Sequence, residues 1–102
     1  MTDSHRIPLH GEILLTVDKK INKRGTLKLN SLVNGVASFT YISDDKQYHF
    51  SLKDSCEGKI RKAAIIDNVI FELAGINADK SVIVRNFCTC SRSKFLNCIN
   101  PF

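Results

Sequence analysis

Asn34 and Gly35 constrain this chain more than any other feature of it. They separate two runs with strand-like alternation, 26–33 and 36–42. Asn and Gly tolerate the positive φ angles of a type I′ turn, whose twist matches that of antiparallel strands, so the pair predicts a two-residue hairpin. Upstream, 9–17 reads as a strand with Ile13, Leu15 and Val17 on one face and Leu14 and Thr16 on the other. Downstream, Ser43 to Lys46 form a second turn, and 47–52 alternates Tyr48, Phe50 and Leu52 with His49 and Ser51. Short connections order these four strands as an antiparallel meander.

Beyond Lys53 the period changes. Asp54 and Glu57 have the D-x-x-E spacing of a helix capping box. At 100° per residue, Glu57, Arg61, Asn68 and Glu72 fall on one side, apolar residues from Ile60 to Ala74 cover most of the rest, and Gly75 stands where a helix would stop. The reading is a helix, although Ile65 then points to the polar side and Asp67 to the apolar one. The competing reading takes the β-branched Ile65, Ile66, Val69 and Ile70 as two strands joined by an Asp67-Asn68 turn. With a last strand at 81–87, the expected fold is α+β, a ββββαβ meander sheet covered by one helix; the alternative is an all-β small barrel of seven strands.

A chain of 102 residues has room for one core. The expected organisation is a flexible N-terminal segment at 1–8, a globular domain at 9–88, and an irregular C-terminal tail at 89–102, docked through Phe95, Leu96, Ile99 and Phe102. No apolar run approaches the roughly 20 residues that a membrane helix needs. Residues 1–6 lack the apolar stretch of a secretory leader, which favours a cytoplasmic protein.

Lys and Arg number 15 against 10 acids, a formal charge of +5. On so small a body that surplus attracts anionic macromolecules. Its distribution is uneven. Lys19, Lys20, Lys23, Arg24 and Lys28 fall in a segment without an acid, and Arg92 and Lys94 follow late in a chain whose last acid is Asp79. These seven residues are the expected anion-binding or nucleic-acid-binding set, provided that folding brings both segments to one surface. Phosphate-cradling glycine motifs do not occur. The aromatics Phe39, Tyr41, Tyr48 and Phe50 suit a core better than a stacking platform.

The four cysteines are Cys56, Cys88, Cys90 and Cys98. Free thiols in a reducing compartment are the favoured reading, with disulfides in any of three pairings, or a metal on Cys88, Cys90 and Cys98, as the alternatives. The single-residue gap between Cys88 and Cys90 is shorter than the usual zinc spacing, and no histidine lies near it in sequence. Cys56 at a helix start would feel a positive dipole, yet without a neighbouring base it reads as a packing residue.

His10 and His49 are the remaining reactive candidates. Two histidines and a lysine such as Lys28 or Lys46 are a sufficient kit for cleaving RNA if they meet across adjacent strands. The expected function is nonetheless a small non-enzymatic binding or regulatory domain, without cofactor, that presents a basic surface to nucleic acid or an acidic protein. The other readings are a protein-interaction module such as an inhibitor or adaptor, using a strand edge or the tail, and a small basic ribonuclease-like toxin domain.

Overall fold

The computed structural model describes residues 3–18 and 20–99. Eight strands run in chain order: β1 (Asp3–Ile7), β2 (Glu12–Asp18), β3 (Lys23–Val33), β4 (Val36–Ser43), β5 (Lys46–Lys53), β6 (Ala63–Ile66), β7 (Val69–Ile76) and β8 (Val82–Cys88). A 3-10 helix, Thr89–Phe95, follows β8 directly. The strands form two four-stranded antiparallel sheets, ordered β1-β8-β7-β6 and β2-β3-β4-β5.

The second sheet is a meander built by local turn chemistry. Asn34 and Gly35 adopt φ of 53° and 78°, and Val33 pairs with Val36 across them. Asp44 and Asp45, at 50° and 64°, make the next tight turn. Alternation then sends Leu27, Leu29, Ala37, Phe39, Tyr41, Phe50 and Leu52 inward, where they are buried. The first sheet answers with Ile7, Phe71, Leu73, Val82 and Val84, so one core fills the gap between the sheets. Phe71 sits at its centre, with its ring 5.1 Å from that of Tyr41 and 5.5 Å from that of Phe50. This is a β-sandwich.

The expected α+β class is therefore wrong: no α-helix occurs among the described residues, and the segment given to a covering helix is a loop followed by the β6–β7 hairpin. Asp67 and Asn68 form its turn, with φ of 49° and 64°, and Ile65 pairs with Ile70. The reason for the error is that both faces of this hairpin are covered. Phe71 and Leu73 point to the main core, while Ala63 and Ile70 bury against Phe95 from the tail, with Phe87 and Ile99 beside them. A strand apolar on both faces loses the period-2 signal and imitates a helix that is apolar nearly all round. The all-β alternative holds in class, with eight strands in two open sheets in place of a seven-strand barrel.

The N-terminal segment expected to be flexible supplies β1, which pairs with β8 from Asp3↔Asn86 to Ile7↔Val82. His10, expected to open a strand, lies in the β1–β2 turn with φ of 65°. The cysteines are also corrected. Cys56 is bonded to Cys98 and Cys88 to Cys90, which leaves no free thiol. The first bridge ties the β5–β6 loop to the tail, whose Cys98 carbonyl accepts the Ala63 N–H at 2.9 Å.

Candidate anion-binding site

Alternation along β3 sorts its basic residues. Gly25, Leu27 and Leu29 face the core, so Arg24, Thr26 and Lys28 face solvent on the outer side of the meander sheet. Arg24 and Lys28 are exposed and stand four residues apart, about 13 Å along the strand. Neither forms an ion pair with a described side chain, although Glu12 stands opposite Lys28 in the register. Lys53, on the same parity of β5, adds a third cation to this face.

Between these cations the face is polar and ordered. Asn30 Nδ2 donates to Thr40 Oγ1 at 2.7 Å, and the same oxygen lies 3.0 Å from His49 Nδ1. Ser38 and Ser51 share a hydrogen bond of 3.1 Å one step along the strands. The row His49, Thr40, Lys28 and Glu12 crosses all four strands. Alternation alone would have placed His49 outward with Thr40; the hydrogen-bonded row needed the register.

Lys23 behaves differently from its neighbours. It begins β3, is partly buried, and meets Asp67 at 2.9 Å and Asp44 at 3.9 Å. The hydrogen bond it donates to Asp67 raises its pKa above the ordinary lysine value against the opposing effect of burial. Lys23 is thus an ion-paired link between the β3 start and the β6–β7 turn, unlike Arg24 and Lys28 on the outer face.

At this end of the sandwich the two sheets part into an open cleft of about 790 Å³. Lys20 and Ile21 on the β2–β3 connection form one wall, Asp67 and Asn68 a second, and Asn86 with Cys88, Thr89 and Cys90 a third. The start of the 3-10 helix, which further on carries the exposed Lys94, thus lines the same cleft as the β2–β3 connection. Lys19 and the side chain of Arg92 lie outside the described residues. Of the seven expected cations, Lys20, Arg24, Lys28 and Lys94 are on the surface and Lys23 is paired.

The histidines do not converge. Three strand spacings of about 4.8 Å separate His49 on β5 from β2, some 14 Å in all, and His10 precedes β2. A pair acting on one phosphate must lie much closer. Lys28 shares the His49 row at two spacings, whereas Lys46 sits at the β4–β5 turn. The aromatics are spent on the core: Phe39 and Tyr41 are buried, and Phe50 stacks on Phe39 at 5.3 Å. Cys56 has no thiol to react, and Cys98 is bonded away from Cys88 and Cys90, so these three do not share a metal position. Among the described residues no group of three or more His, Cys, Asp or Glu side chains is placed to hold a metal.

No helix among the described residues is long and apolar enough to cross a membrane. No family model, no curated protein and no solved structure matches this chain.

Proposed function

We propose that this β-sandwich is a non-enzymatic binding domain that takes an anionic partner on the outer face of its meander sheet. The observation that supports the reading is the pair Arg24 and Lys28: exposed, on one face, without ion-pair partners among the described residues, and set on an inner strand of the sheet. Two cations about 13 Å apart on a strand match an extended polyanion better than a single small anion. The Ser, Thr, Asn and His side chains between β3 and β5 offer hydrogen bonds beside them.

The test is binding of a fluorescent single-stranded oligonucleotide, with poly-glutamate as the acidic polypeptide, over a series of salt concentrations. Affinity for one of them should fall steeply with salt. The double substitution Arg24→Ala and Lys28→Ala should weaken binding at low salt by roughly tenfold or more and, for the nucleic acid, reduce the slope of log affinity against log salt by about 1.4, two lost phosphate contacts. Binding of neither polymer, or binding indifferent to the double substitution, would remove the basis of this reading.

A further inference from the structure

The two disulfides of this protein have opposite characters. Cys56–Cys98 spans 42 positions and fastens the tail over the outer face of the first sheet, with both cysteines partly buried. Cys88–Cys90 spans two positions and encloses only Thr89, and all three residues are exposed. In the chain-entropy account a bridge stabilises by the freedom it removes from the unfolded chain, and that freedom grows with loop length. Closing so small a loop removes little, so the short bridge is not what holds the fold. The tail beyond it is held independently, by Phe95 buried on Ala63 and Ile70 and by the long bridge.

Its position favours chemistry. Both cysteines line the open cleft, where an attacking group has access from solvent. Lys20 lines the same cleft, and Lys23 is paired there with Asp67, so access from solvent rather than local charge favours exchange. Exposed disulfides are the ones that exchange, whereas buried staples resist reduction.

We propose that Cys88–Cys90 is a thiol–disulfide exchange site, a two-electron acceptor for low-molecular-weight thiols that enter the cleft. A thiolate attacks one sulfur of the bridge; the Cys88–Cys90 bond breaks as the mixed disulfide forms, and the released cysteine thiolate takes a proton. A second thiol attacks the mixed disulfide, so the pair ends as two cysteine thiols and the reductant as its own disulfide. Cys56–Cys98 is untouched through the cycle. The inference is independent of the anionic partner proposed above, since it uses neither Arg24 nor Lys28.

The oxidised protein is equilibrated in glutathione buffers of increasing reduced-to-oxidised ratio, quenched with an alkylating agent, and mapped by peptide mass spectrometry. Cys88 and Cys90 should become alkylated at a ratio at least tenfold lower than Cys56 and Cys98. The variant Cys88→Ser should accumulate a glutathione adduct at Cys90, and the double variant Cys88→Ser, Cys90→Ser should keep the native circular dichroism and thermal midpoint. Reduction of both bridges together, reduction of Cys56–Cys98 first, alkylation of Cys88 and Cys90 before any reductant is added, absence of the adduct, or loss of the fold in the double variant would each overturn the proposal.

Discussion

The ring of Tyr41 occupies the space that a side chain at residue 25 would need. A Cβ placed on Gly25 would lie 2.7 Å from the Tyr41 hydroxyl oxygen and 2.8 Å from Cζ, well inside contact distance. Tyr41 has nowhere to retreat, because it is fully buried, stacks on Tyr48 and meets Phe71 at 5.1 Å. Gly25 is therefore selected by space, in a strand where its backbone needs no special angle. Gly25→Ala should destabilise the domain by about 1–3 kcal/mol, the usual cost of overpacking, seen as a lower urea midpoint with an unchanged slope. An unchanged midpoint would mean that the ring yields.

Gly35 is the converse case. Nothing lies within 4 Å of a Cβ there, but its φ is +78°. Gly35→Ala should cost about 1 kcal/mol through backbone strain alone, and Gly35→Asn, which tolerates left-handed angles, should recover most of it. Equal losses for Ala and Asn would point to some cause other than φ.

The Tyr41 hydroxyl is buried near that of Ser43, and neither makes a hydrogen bond of good geometry among the described residues; burial pushes the phenol above its ordinary pKa against a lowering effect of Ser43. An unpaired buried hydroxyl carries its desolvation cost uncompensated. Tyr41→Phe should leave thermal stability unchanged or raise it by up to about 1 kcal/mol. A clear loss would show that the hydroxyl is satisfied in solution.

Two charged groups contribute to the pH dependence of stability. The Asp79 carboxyl is held below its usual range, first by the hydroxyl and N–H of Ser81 and then by Arg6, so its folded pKa lies under the unfolded value of 3.8. Its stabilising contribution is present above that value and is lost as pH falls through the folded pKa. Lys23, raised above 10.5, works in the opposite direction: its contribution is complete below that pH and disappears as pH climbs through the folded value. Unfolding measured from pH 2 to 12 should show a shallower acid limb in Asp79→Ala and a shallower alkaline limb in Lys23→Met. Limbs identical to the native protein's would contradict these assignments.

Losing the long bridge should be costly. Cys56→Ser with Cys98→Ser should lower stability by about 2–4 kcal/mol and expose Phe95 and Ile70, detectable as faster amide exchange in β6 and β7. Unaltered exchange there would show that the apolar contacts alone hold the tail.

The meander from β2 to β5 is legible in the sequence because its instructions are local. Asn34-Gly35 and Asp44-Asp45 supply the turn angles, and alternation around Leu27 and Leu29 turns Arg24 and Lys28 outward, but a register shift between Leu29 and Ser31 is what sets them on the same face as His49. The β6–β7 hairpin is not legible in the same way. Its one discordant note in a helical reading, Asp67 among apolar neighbours, marks the turn, but the cover over Ile70 comes from Phe95, a residue outside any local window. Neither the neutralisation of Lys23 by Asp67 nor the bond from Cys56 to Cys98 has a signature in the intervening chain.

Turns, pleat and the side of a strand on which a residue falls were thus determined by the sequence itself, since they depend on steric preferences within a few bonds. Which faces became interior, which cation kept its charge exposed, and which sulfurs met were decided by tertiary structure. Those outcomes depend on burial and close contact between groups tens of positions apart, and such groups share a dielectric and a distance only after the two sheets have closed on each other.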